Sequence, residues 1–295
     1  MPETRAQQVF KVFNYAFFIV FSIVMLYPFW DVLRVSLSTA KAINSMQFQL
    51  WPMEFSTSAY NVVLKNSNLY IGYRNTLFRC LLSLSISMPL MVLTAYPLSK
   101  RDLPYRNIIT MLMVFTMFFS GGLIPSYIIN TQVLLLGNKI WAMVLPGAIS
   151  TYSMLILRNN FMALPSELME SATIDGANEL KIIMLIVLPL SVPVLMTLLL
   201  WNIVDNWNAW FDCVLYIRDG SKFVLQAMLR KIIIEAAPQF SEYNVMTDAT
   251  SGQREQNIEA IKSATILFAT VPILLIYPFI QKYFVKGVMV GSLKG

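Results

Sequence analysis

The sequence predicts an all-α polytopic membrane protein with six transmembrane helices, and three observations carry that prediction. Hydrophobic residues make up 57% of the 295 residues. Charged residues make up 13%, about half the share of a soluble domain. The charges leave six stretches of 18 residues or more without Asp, Glu, Lys or Arg: 12–30, 80–99, 107–138, 140–157, 182–204 and 263–281. The third observation is the absence of histidine and the presence of only two cysteines. That removes the commonest general base and metal ligand and excludes a disulfide scaffold.

A bilayer core of ~30 Å needs about 20 apolar residues in a helix rising ~1.5 Å per residue. Every one of the six stretches reaches that length, whereas a core helix of a soluble protein keeps a polar face. The first span, 12–30, follows Arg5 and Lys11. Ala40-Lys41-Ala42 faintly resembles a signal cleavage site. The apolar run is too long for a signal core, so it is read as a true span. Segment 31–74 is read as an outer loop with short helices of its own. Span two is 80–99, with Arg79 left at its end, and the basic cluster Lys100, Arg101 and Arg106 follows. Span three is 108–130 and contains Gly121-Gly122, whose plain expected role is close packing, a break being the alternative. Span four is 140–157, span five 182–204 and span six 263–281. Outer segment 205–262 is again expected to hold short helices. Lys and Arg concentrate in the short segments 1–11, 100–106, 158–181 and 282–295 and are diluted in the two long ones. The positive-inside rule then puts both termini in the cytoplasm.

Little in the chain suggests chemistry. On this reading Asp31, Arg79, Arg158 and Asp205 sit at span ends and none lies mid-membrane, which argues against an ion-coupled carrier. No cluster of Asp, Glu or Cys suits a metal or a catalytic dyad, and no G-x-x-x-x-G-K-[ST] phosphate loop exists. The chain is expected not to be an enzyme and to have no nucleic-acid partner. Energy for any active transport would come from another subunit.

Residues 165–189 read PSELMESATIDGANELKIIMLIVLP. Ser166 after Pro165 is expected to cap a helix, with Glu167 complementing its dipole. Leu168, Ser171 and Ala172 fall on one face at helical spacing. Asp175-Gly176 interrupts the helix, and a second helical run from about Asn178 leads through Pro189 into span five. Two short helices meeting at a glycine elbow suit a groove on a partner, and an ordinary surface connection is equally open.

The pattern Glu170-Ser171-Ala172, three residues, Gly176, nine residues, Ile186-Val187-Leu188-Pro189 resembles the EAA loop of permease subunits of bacterial ABC importers. Ser171 stands where that pattern has its first alanine. The resemblance implies the type I ABC importer permease fold. It makes 165–185 the coupling loop, with Glu170, Ser171, Ala172, Asp175, Gly176 and Ala177 meeting a cytoplasmic ATPase. Three more stretches resemble the carbohydrate branch, similar to the maltose-type permeases for oligosaccharides or polysaccharide products. They are Phe118 to Pro125, Asn206 to Asp212, and the tail from Tyr277 to Gly287 ending in Gly291 to Gly295.

Trp201, Asn202, Asp205, Asn206, Trp207 and Asn208 are candidates for a substrate pathway, since aromatic faces and amides suit sugar rings and hydroxyls. An interfacial aromatic belt is the alternative. Lys286, Gly287 and Lys294 mark a basic tail that the resemblance would bring to the ATPase interface. The implied partners are a second, different permease, two ATPase subunits that bind ATP and Mg, an external solute-binding protein, a sugar and the bilayer. No cofactor is expected in this chain. The rivals are an ABC permease for a non-sugar solute and an ion-coupled secondary carrier.

Overall fold

The computed structural model describes residues 4–43, 50–52, 54–243, 258–275 and 278. Among them the secondary structure is helical apart from one isolated bridge between Ser38 and Phe55. Contacts divide the chain into two units, Met1–Ser67 with Leu229–Val271, and Asn68–Met228 with Pro272–Gly295.

The first unit is dominated by α1 (Arg5–Ser36), which passes through Pro28. Gln7 Oε1 accepts from the Thr4 N–H at 2.9 Å and so closes its first turn. The helix outruns the charge-free stretch at both ends. At its C-terminal end Asp31 and Arg34 pair one turn apart at 2.9 Å, so neither charge interrupts the helix. Beyond it lies α2 (Ser58–Lys65). Trp30 Nε1 donates to the Leu50 carbonyl at 2.7 Å, and its ring meets Trp51 edge-on at 5.0 Å. The hydroxyls of Ser36 and Tyr60 lie 2.9 Å apart. These contacts tie the end of α1 to the segment that follows it.

The second unit is built on α3 (Ser67–Ser99), which includes Pro89 and Pro97. It continues through α4 (Arg106–Phe118), α5 (Leu123–Val133), α6 (Thr151–Met162), α7 (Ser166–Ile174), α8 (Glu179–Leu190), α9 (Val192–Asn208) and α10 (Phe211–Tyr216). Then come α11 (Leu225–Tyr243) and α12 (Ile258–Leu275), most of whose residues belong to the first unit.

Among the described residues α1, α3 and α12 are long and apolar enough to cross a membrane. The pairs α4–α5 and α8–α9 meet that test only together, bent by 108° and 83°, so the count reaches five against six expected. The stretch 140–157 is not one helix. A single turn, Trp141–Val144, gives way at Pro146-Gly147, and α6 restarts with Ser150 accepting from the Ser153 N–H at 3.3 Å. Within α6, Arg158 donates to the Leu98 carbonyl at 2.8 Å.

The two bends have local causes. Pro189 and Pro193 flank Ser191, whose N–H is shared between the carbonyls of Val187 and Leu188, each at 3.1 Å. Proline removes a donor and crowds the preceding turn, so the apolar run folds back instead of continuing. The other bend is made by glycine. Gly122 sits at φ 85°, ψ 173°, a region open essentially to glycine alone. The glycine pair therefore breaks the span, where packing had been expected. A Cβ on Gly122 would meet nothing within 4 Å, so substitution is opposed by the backbone alone. Gly122→Ala is expected to destabilise the purified protein by ~1–3 kcal/mol, read as a lowered Tm, with Gly121→Ala close to neutral.

One buried cluster joins Met91, Ala95 and Tyr96 of α3 to Met154, Leu157 and Phe161 of α6, Ile183 and Val187 of α8, and Leu198 of α9. A second gathers Met143, Cys213, Ile217, Val224 and Ala227. A cavity of about 980 Å³ lies where the two approach, lined by Met91 and Leu198 from the first and Met143 from the second.

Candidate functional site

The loop after α6 is built by local chemistry. Pro165 occupies the cap position of α7 and Ser166 is its first residue, one place later than the capping role expected of it. The C-terminal end is closed by paired bonds, Ala177 N–H to the Ala172 carbonyl at 2.9 Å and Gly176 N–H to Thr173 at 3.0 Å. This is the Schellman arrangement, and it needs a left-handed residue after the cap. Gly176 supplies it at φ 78°. Two residues later Asn178 Oδ1 accepts from the Lys181 N–H at 2.9 Å and opens α8.

The loop is held on one side and open on the other. Met169, Ala172 and Ala177 pack against the first buried cluster. The Glu179 carboxylate accepts a short hydrogen bond from the Tyr96 hydroxyl at the end of α3. Lys100 Nζ lies 3.7 Å from the same carboxylate and 4.8 Å above the Tyr96 ring. Glu170, Ser171, Asp175 and Gly176 are exposed, while Ala172 and Ala177 are half-buried. Leu168 and Ile174 are also exposed, Ile174 at 86%, so α7 presents apolar as well as acidic groups outward.

The cavity is organised around Arg79. Its side chain is 4% exposed and lies within α3, which outruns the charge-free stretch 80–99. Nε donates to Asn206 Oδ1 at 3.0 Å, Nη1 to Asp212 Oδ1 at 3.0 Å, and Nη2 to Asp212 Oδ2 and to the Met143 carbonyl at 3.3 Å. A forked guanidinium–carboxylate pair is the strong form of this contact. One side chain thus joins α3 to α9, α10 and the turn at Trp141–Val144. Asn206 Nδ2 donates onward to Ser83 Oγ and to the Asn202 carbonyl, each at 2.9 Å, and Ser83 Oγ donates to Asn202 Oδ1 at 3.1 Å.

Four of the six pathway candidates line this cavity: Trp201, Asn202, Asp205 and Asn206. Trp201 stacks on Tyr152 with centroids 6.1 Å apart and planes 17° apart. Trp207 is buried at 3% exposure, edge-on to Tyr73 at 5.9 Å, and does not line it. Asn208, the last residue of α9, is exposed and also lies outside the lining. The tail candidates Lys286, Gly287 and Lys294 lie outside the described residues.

Arg79 and Asp212 were not among the sequence candidates as a pair. A signal did exist: Thr76, Arg79, Ser83 and Ser87 recur every three or four residues and are all buried on one stripe of α3. Cys213 is buried, with the Val224 N–H directed at its sulfur at 3.5 Å, and burial pushes its thiol up to about 11. It is therefore no thiolate nucleophile at neutral pH. Among the described residues no three His, Cys, Asp or Glu side chains are grouped to hold a metal ion.

Residues 67–290 match the family described as binding-protein-dependent transport system inner membrane component. The chain is 39% identical to the polygalacturonan/rhamnogalacturonan transport system permease protein YtcP of Bacillus subtilis (strain 168), over 98% of this chain and 99% of that protein. It is 36% identical to protein LplC of the same organism, over 100% of this chain and 98% of that one. Among solved structures, it resembles a chain of a bacterial ABC transporter involved in the import of the acidic polysaccharide alginate. The TM-score is 0.86 at 27% identity, covering 96% of this chain and 99% of that one. With its apolar spanning helices, its elbowed loop and a family match over most of its length, this chain belongs to the binding-protein-dependent inner membrane components, as a multi-pass permease.

Proposed function

We propose that this chain is one of two permease subunits of an ATP-driven importer in the bacterial plasma membrane, and that its cargo is an oligosaccharide derived from a larger polysaccharide. A solute-binding protein hands the sugar to the permease pair. The second permease is a related but different chain, and the two enclose the pathway between them. Two cytoplasmic ATPase subunits bind ATP and Mg and do the hydrolysis. This chain catalyses no reaction and carries no cofactor. Carbohydrate cargo is supported by the roles of YtcP and of the alginate importer, and by a cavity that offers amides, hydroxyls and stacked aromatic rings.

The observation that carries the mechanism is the continuity between loop and cavity. Met169, Ala172 and Ala177 pack on the cluster that contains Met91 and Leu198, and those two residues also line the cavity. A push on the exposed side of α7 is thus delivered to the helices around the cavity as movement of a packed body, because close-packed cores shift as units. Alternating access follows if closure of the ATPase pair tilts that body.

The test is uptake by proteoliposomes holding the whole importer, given a panel of labelled oligosaccharides, peptides and metal chelates with ATP inside. ATP-dependent uptake confined to oligosaccharides is expected, and uptake confined to peptides or chelates would refute the carbohydrate reading. In the same vesicles Asn202→Leu is expected to slow uptake several-fold, about the effect of leaving Ser83 and Asn206 without their acceptor. Unchanged uptake would remove Asn202 from the pathway.

A further inference from the structure

The geometry points to an uncharged sugar ring, and not a uronate, as what the α9 wall of the cavity takes, with Asp205 as the residue that sets this preference. The inference rests on the carbohydrate reading above and sharpens it. The charged side chains lining the cavity are Arg79, Asp205 and Asp212. Four of the five Arg79 N–H donors are engaged, by Asn206, Asp212 and the Met143 carbonyl, and its side chain is 4% exposed. It has no free fork to offer a carboxylate on the cargo. Asp212 is neutralised by the same contact. Asp205 is exposed, and its carboxylate has no hydrogen bond or ion pair with any described residue. The wall therefore meets its cargo with one uncompensated negative charge.

Asp205 also has a suitable neighbour. Trp201 precedes it by one helical turn on the same face of α9, and Tyr152 lies nearly parallel to the Trp201 ring. A pyranose has an apolar C–H face that stacks on such a surface and a rim of hydroxyl donors. A carboxylate is acceptor-only and takes two adjacent hydroxyls at once. Trp201 and Asp205 thus match the face and the rim of one neutral ring. A uronate replaces part of that rim with a second carboxylate, which Asp205 repels and no cavity cation offsets. The cargo preference expected here departs from that of the acidic-polysaccharide importer the chain resembles in structure.

The experiment compares uptake of galactotetraose and tetragalacturonate by proteoliposomes containing the complete importer with its own binding protein. Each variant is read against the parent for each sugar, so delivery by the common binding protein cancels. Asp205→Asn is expected to raise the tetragalacturonate-to-galactotetraose uptake ratio about tenfold, the order expected for removing one like charge a few ångströms from the cargo. Asp205→Lys is expected to raise it further, and Trp201→Ala to lower uptake of both sugars. A ratio unchanged in both Asp205 variants, or moved toward the neutral sugar, overturns the inference and leaves the carbohydrate reading standing. A parent importer that carries tetragalacturonate but not galactotetraose does the same. A parent that carries neither, while taking up a peptide or a metal chelate, overturns both.

Discussion

Asp212→Ala is expected to destabilise the protein by about 3 kcal/mol, the lower part of the range for stripping one partner from a buried ion pair. The lower part applies because the Asp212 side chain is 26% exposed, while Arg79 is 4% exposed. The penalty comes from what stays behind: a guanidinium held among α3, α9 and α10, with its two strongest contacts gone and only 4% of its side chain exposed. Asp212→Asn should cost less, since the amide oxygen still accepts one bond. Removing both charges reverses the logic. Arg79→Met combined with Asp212→Leu replaces the pair with apolar groups of similar bulk and is expected to recover most of the loss. Thermal unfolding in detergent of Asp212→Ala, Arg79→Met, Asp212→Leu and the double variant, the last three and the parent forming a double-mutant cycle, measures this. A double variant no more stable than Asp212→Ala would show that the pair is not the anchor of these four elements. Recovery will be incomplete in any case, because Asn206 Oδ1 loses the Arg79 Nε donor and the Met143 carbonyl loses Nη2.

That anchor shows where sequence reading ran short. Bounding spans by gaps in charge locates α1, α3 and α12 but trims the first two, since it treats each charge as an end. Arg79 is tolerated inside α3 only because Asn206 and Asp212, distant in sequence, satisfy it. A long-range compensation of this kind leaves no trace in a local window. The charge gaps also said nothing about continuity. Stretches 107–138 and 182–204 are apolar enough for single spans, yet Gly122 and the prolines around Ser191 bend them sharply. Those residues were visible, but whether glycine packs or breaks depends on the backbone conformation it takes up, which residue type alone does not set. The loop was the reverse case. Pro165, Gly176 and Asn178 act within a few residues of themselves, so the helix, elbow and second helix were readable in order, with only the cap displaced by one position. In α9 the chemistry was legible but the facing was not. Trp201, Asn202, Asp205 and Asn206 share the cavity side, helical rotation turns Trp207 away from it, and Asn208 falls outside it where the helix ends.

Gly176→Val is expected to abolish transport while the importer still assembles, and the reason is geometric. At φ 78° any residue with a Cβ is strained by ~1–2 kcal/mol, and a β-branched one most of all. Nothing lies within 4 Å of where that Cβ would stand, so no clash drives unfolding. The strain is instead relieved by giving up the bonds from Gly176 to Thr173 and from Ala177 to Ala172, which fix the direction of α7 relative to α8. Glu170 and Ile174 then no longer present the same face to the ATPase, while the buried cluster behind the loop is untouched. Gly176→Asn, which tolerates the left-handed region, should retain most of the activity. The readouts are co-purification with the ATPase subunits, ATP hydrolysis stimulated by the loaded binding protein, and sugar uptake. The expected pattern for Gly176→Val is normal recovery of the complex with both stimulation and uptake lost. Full uptake by a normally assembled Gly176→Val importer would mean that the elbow is an ordinary connection and that force enters the permease elsewhere.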